Sequence, residues 1–193
     1  MKFSTGSRIS LALLTIFIGS SAAYAAQSYS VSEDSAKLAF LATGKPGFLK
    51  IKGEGAKLKG RLDMDQGNWK GAFVADLVPV KTGVDLRDSH MHDKYLETKK
   101  FPTAELNLET VKFEKGAEGP CEFTGSLAIK GVKKPIQGTC EWTGTGKDSM
   151  QVKASSEIKL ADYPIGVPQY LGVTVADKVK IEVEFDAKRN PSG

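Results

Sequence analysis

The chain has 193 residues, with 27 lysines and arginines against 23 aspartates and glutamates and a formal net charge of +4. So mild a charge, with lysines and glutamates interspersed rather than gathered into a stripe, argues against a nucleic-acid-binding protein. Beyond the N-terminal leader, no run is long and apolar enough for a transmembrane helix, so stable membrane insertion is not expected.

Residues 1–25 read MKFSTGSRISLALLTIFIGSSAAYA. Lys2 and Arg8 precede an apolar run from Ile9 to Ile18, and Ala23, Tyr24 and Ala25 form an A-x-A cleavage site, which together make a secretory signal peptide. The run is too short to span a bilayer, and no cysteine stands at the cleavage point to carry a lipid anchor. The expectation is export to the periplasm, with a single domain over residues 26–193.

From Leu38 onward the dominant period is two, the mark of strands with one face in and one face out. Phe40 and Ile51 fall on the inner face of the early strands. Trp69, Gly71, Phe73, Ala75 and Leu77 then alternate with Lys70, Ala72, Val74, Asp76 and Val78. Leu106 and Leu108 repeat the pattern, followed by Cys121, Phe123, Gly125, Leu127 and Ile129, set against Glu122, Thr124, Ser126, Ala128 and Lys130. Trp142 comes next, then Met150, Val152, Ala154, Ser156 and Ile158, and last Val179, Ile181, Val183 and Phe185. Gly, Pro, Asn and Asp clusters separate the runs, as at residues 44–47, 65–68, 114–120, 131–135 and 144–148.

About eight strands in an antiparallel meander result, an all-β chain. Charged residues on the outer face exclude an outer-membrane barrel, whose outside must be apolar. Without covering helices, such a sheet most economically closes into a barrel, which removes its edges. A two-sheet sandwich is the alternative. The inner face also carries small residues: Gly53, Gly55, Gly60, Gly71, Ala75, Gly125, Gly138, Ala154 and Ser156. These are expected to leave a void that the inward apolar residues line, suited to an elongated apolar molecule. The competing reading is that the glycines mark bulges and tight bends.

Residues 82–106, TGVDLRDSHMHDKYLETKKFPTAEL, interrupt the period and look at first like an active site. A short helix near residues 85–97 is expected, with Asp85 or Thr82 as N-cap and Leu86, Met91, Tyr95 and Leu96 packing inward. His90 and His92 are two apart, which on a helix separates them by roughly 200°, unlike the three- or four-residue spacing of a helical zinc pair. Ser89 beside His90 makes no triad and lacks a nucleophile elbow. The cluster therefore reads as capping and salt-bridging groups that fix a lid or corner, with no metal and no catalytic residue.

The two cysteines, Cys121 and Cys140, flank one hairpin and face the same way. A two-residue turn at Lys130 and Gly131 would set them directly opposite and allow a disulfide. A four-residue loop from Gly131 to Lys134 would offset them by about 13 Å along the strand, too far to bond. Pro135 suits the longer loop, since proline sits best at a strand's start. Export and the presence of only two cysteines favour the disulfide.

Three segments of the chain resemble the YceI-like proteins: TGVDLRDSHM with the following KYLE and FPTA; FTGSLAIKGVKKPI; and KLADYPIGVP with the strand VADKVKIEV. The resemblance implies a lipocalin-like antiparallel barrel that holds a polyisoprenoid, an isoprenoid quinone or a fatty lipid, with no other cofactor and no catalytic residues. Members are usually exported, and some form homodimers. Residues 40–55, FLATGKPGFLKIKGEG, depart from the histidine- and methionine-containing stretch usual there. The expected function is a periplasmic carrier for a lipid-like small molecule; the alternative is an interaction or stress-response protein that uses the barrel surface.

Overall fold

Alternating apolar and polar residues fold into ten strands of one antiparallel sheet in a computed structural model. It describes residues 27 to 191 apart from 46, 48, 117, 171 and 172, so the expected signal peptide lies outside the described residues. The strands are β1 (Gln27–Val31), β2 (Ala36–Lys45), β3 (Lys50–Asp65), β4 (Asn68–Asp76), β5 (Thr103–Phe113), β6 (Gly119–Ile129), β7 (Val132–Gly146), β8 (Ser149–Lys159), β9 (Gln169–Tyr170) and β10 (Val173–Arg189). β2 to β8 pair in order, and β10 pairs with both β8 and β2, which closes an eight-stranded barrel. β1 pairs with β3 and β10 beyond the end of β2, so the two short strands fill one position in the wall. The barrel replaces the sandwich alternative.

The ends of the barrel differ. Around the β3–β4 and β7–β8 turns, Trp69, Trp142, Phe113 and Tyr29 stack. The Trp69 and Trp142 rings are 4.6 Å apart, and Phe113 meets Trp142 edge-on at 5.4 Å. This aromatic floor closes one end. At the other end sit the β6–β7 turn and the chain between β4 and β5, which holds α1 (Asp85–His90) and a π turn (Met91–Tyr95).

The β6–β7 turn has two residues. Lys130 and Gly131 both have positive φ, 50° and 76°, the geometry that matches strand twist in a tight hairpin. Ile129 pairs with Val132 and Cys121 with Cys140, whose Cα atoms lie 4.9 Å apart and whose sulfurs are bonded. The longer loop that Pro135 suggested does not form. Alternation from the turn makes Ser126 and Pro135 a pair that exchanges no hydrogen bond, and β8 does not begin to pair with β7 until Gly138. Proline therefore costs the sheet no donor where it stands.

The inward glycines do not open the void expected of them. A Cβ on Gly125 would lie 2.3 Å from the Asn107 carbonyl oxygen, and one on Gly138 would lie 2.2 Å from that of Ser155. Rings of Phe73 and Phe123 cover Gly60, Gly71 and Gly138. Gly55, with φ of 101°, sits at a bulge between β2 and β3, exposed rather than inward. These glycines are places of close approach, as the competing reading had it. Gly125→Ala is accordingly expected to destabilise the protein by roughly 2 kcal/mol, the usual cost of overpacking. A urea titration checks it; an unchanged midpoint would contradict the close approach.

Candidate ligand-binding cavity

The barrel encloses a cavity of about 700 Å³, a size typical of small-molecule sites. Phe40 of β2, Ile51 of β3 and Phe73 of β4 line it, with Leu106 and Leu108 of β5. β6 adds Phe123, Leu127 and Ile129, and β7 adds Trp142. Val152 and Ile158 of β8 and Val179, Ile181, Val183 and Phe185 of β10 complete the expected wall. Two residues assigned to the lining are not on it. Trp69 and Met150 lie in the floor, packed in the cluster that contains Trp142, because the rings there leave no space between them.

The free volume comes from short side chains other than glycine. Ala42, Ala75, Ala104, Ala154 and Ser156 face the lumen where larger residues would meet across it. Gly53 is the only wall glycine among the described residues, and the Phe40 ring occupies the place of its missing side chain. Leu58, Leu62 and Val111 also line the cavity. The bulges near Gly55 and between Leu108 and Thr110 shift the facing of everything that follows, so a single unbroken alternation misses these three.

The segment between β4 and β5 folds over the open end as a lid. Its helix has Val84 as N-cap with no side-chain cap, instead of Asp85 or Thr82. Thr82 acts as a hub. Asp88 Oδ1 accepts hydrogen bonds from its amide at 2.7 Å and its hydroxyl at 2.5 Å, while Arg87 donates from Nε to Thr82 Oγ1 at 2.7 Å and from Nη2 to the carbonyl at 2.8 Å. Burial alone would push the Asp88 carboxyl up. The hydrogen bonds from Thr82 and Gly83 and the Arg87 charge outweigh it and hold the group below the usual carboxylate range. Met91 is buried and Tyr95 and Leu96 pack on the barrel, as expected, but Leu86 is 50% exposed at the rim.

His92 is tied into the lid. His92 Nε2 lies 2.8 Å from the Val80 carbonyl, which can only accept, so Nε2 carries the proton and Nδ1 accepts from Thr98 Oγ1 at 3.1 Å. Both ring nitrogens are thus engaged with the lid's own backbone and side chains. Ser89 Oγ donates to Asp93 Oδ2 at 3.1 Å, one turn along, at the exposed face of the lid.

Alternation also misplaces Lys130. Expected to face outward, its side chain is 6% exposed. Its Nζ donates to the carbonyls of Tyr95 at 3.0 Å and Pro164 at 2.8 Å and to Glu97 Oε1 at 2.5 Å. One ammonium thus pins the lid and the β8–β9 connection to the β6–β7 turn. In the sequence this leaves no more trace than a lysine beside a turn glycine. Lys130→Met should destabilise the protein by about 2 kcal/mol, since three oxygens lose a charged donor, and speed amide exchange at Leu96 and Thr98. Unchanged exchange there would contradict the latch. The Lys130 hydrogen bond holds the Glu97 carboxyl below its ordinary value. Its stabilisation is therefore full at neutral pH and fades as pH falls through that lowered value.

The architecture has relatives. BcnA of Burkholderia cenocepacia superposes with a TM-score of 0.68 at 17% identity, covering 82% of this chain and 99% of that one. A polyisoprenoid binding domain from Saccharophagus degradans, implicated in plant cell wall breakdown, gives 0.65 at 17% identity over 84% and 98%. The YceI protein of Campylobacter jejuni gives 0.61 at 22% over 72% and 85%. In sequence, the UPF0312 protein plu2095 of Photorhabdus laumondii is 37% identical over 83 residues, covering 40% of this chain and 42% of that relative. The YceI-like domain model matches residues 29–187, nearly the whole barrel from β1 to the last residues of β10. On that match the chain belongs to the YceI-like domain family.

Proposed function

We propose that this protein is a periplasmic carrier that holds a long apolar molecule, a polyisoprenoid, isoprenoid quinone or similar lipid, in the barrel lumen, and that it is not an enzyme. The observation that carries this reading is the cavity wall: among the described residues it contains aliphatic and aromatic side chains from every barrel strand and no carboxylate. Such a space strongly disfavours water and favours methylene groups, at roughly 0.8 kcal/mol for each one buried. The name of the Saccharophagus domain, polyisoprenoid binding, supports the ligand class. The signal-like residues 1–25 and the Cys121–Cys140 disulfide support export, since disulfides persist in oxidising compartments.

Extraction of the purified protein with organic solvent, followed by mass spectrometry, tests the proposal. One apolar compound per chain is the expected result. A barrel that repeatedly yields none, from cells that make isoprenoid lipids, would shift the function to the outer surface.

A further inference from the structure

The exposed apolar side chains of the barrel are gathered at one end. Among the described residues, the large hydrophobics left open to solvent are Val78, Val84, Leu86 and Val167, exposed by 38 to 53%. Three stand in the lid segment between β4 and β5, and Val167 stands in the connection from β8 to β9. Val84 and Leu86 also border the cavity, so they form its mouth. Charge follows the same axis. The segments that join strands at the mouth, residues 44–50, 77–102, 130–134 and 160–169, hold ten lysines and arginines against five aspartates and glutamates. The three floor turns, residues 64–69, 113–120 and 144–149, hold two against four. At the mouth, Asp93 is already paired with Lys99 and Glu97 with the buried Lys130. Lys81, Lys94, Lys133 and Lys134 are exposed and form no salt bridge among the described residues.

We infer that the mouth of the barrel docks on the surface of a bilayer that carries anionic phospholipid, with Val84, Leu86 and Val167 entering the acyl boundary and the surrounding lysines meeting the phosphates. The inference goes beyond the carrier reading: it concerns the outer surface and adds the place where cargo would be exchanged. Apolar side chains ringed by cations are the arrangement by which interfacial segments hold anionic lipid. An acyl layer accepts aliphatic side chains without a matching pocket, whereas protein partners are held mainly through Trp, Tyr and Arg, with Leu and Val under-represented. The large hydrophobics exposed here are valine and leucine alone, among the described residues. Each basic residue brought to such a surface strengthens binding by roughly fivefold.

Co-sedimentation of the purified protein with unilamellar vesicles of phosphatidylcholine, alone or mixed with phosphatidylglycerol, tests this. Binding to the mixed vesicles should be at least roughly tenfold tighter than to the neutral ones. Lys133→Gln with Lys134→Gln should weaken it at least roughly tenfold, and Leu86→Gln with Val167→Gln by a comparable factor. At the floor, Lys115→Gln with Lys147→Gln should change it less than about twofold. No binding to either vesicle, equal binding to both, or equal loss from the floor and mouth pairs overturns the inference. If the free parent sediments as a dimer that the Leu86 and Val167 pair splits, with vesicle binding unchanged, the surface belongs to a second copy and the inference falls. Solvent extraction reads the lumen separately, so a failure to dock leaves the carrier reading standing. A measurement on the parent avoids variants altogether. The chain's two tryptophans, Trp69 and Trp142, both sit in the floor. Brominated acyl chains should therefore leave the emission of the vesicle-bound protein unquenched, and strong quenching overturns mouth-first docking.

Discussion

Ala154→Phe should lower affinity for a long apolar ligand by about two to three orders of magnitude while the barrel stays folded. Ala154 lies midway along β8, opposite Cys140 on β7 and Val183 on β10, and faces the lumen. A phenyl ring there takes space that about four or five methylenes would otherwise fill. At roughly 0.8 kcal/mol each, that is about 3 to 4 kcal/mol of binding. The ring enters a void instead of a packed core, so the overpacking penalty seen at Gly125 does not apply. Titration with a fluorescent apolar probe, paired with a thermal melt, reads both quantities. A folded variant that binds as well as the parent would place the ligand elsewhere.

Loss of the disulfide should be the most costly single change to stability. Cys121 and Cys140 are 19 residues apart, and closing a loop of that length restricts the unfolded chain by about 3 kcal/mol. Both cysteines are buried among the rings of the floor, so replacement also exposes polar atoms to an apolar setting. The double variant Cys121→Ser, Cys140→Ser is therefore expected to unfold at markedly lower urea concentration. The unreduced parent, denatured and titrated with a thiol reagent, should show no free thiol. Two thiols per chain would contradict the bond and the register with it.

The barrel was legible in the sequence because period-two alternation and turn residues are local signals, and both persist in the folded chain. Facing failed where a bulge intervened. Val111 and Leu62 lie beyond one, and no composition cue marks where an extra residue enters a strand. The glycines misled for a different reason: the same small residue signals a void or a neighbour's close approach, and only the positions of the Asn107 and Ser155 carbonyls separate the two. Trp69 and Met150 were read as lining because they face inward, yet inward at the floor means packed against Trp142. Lys130 shows the limit most plainly. A charged side chain next to a turn reads as solvated, and the three oxygens that bury it come from residues 33 to 35 positions away. The segment at residues 82–106 was readable as a break in the sheet because period-two alternation stops there, and the structure folds it over the open end of the barrel.

The most direct test of a lipid held in the lumen is a crystal of the protein soaked or grown with 1-bromododecane. Bromine peaks inside the barrel, between Phe73, Leu127 and Val183, are the expected result. Bromine found only on the outer surface, with ordered water filling the lumen, would contradict it.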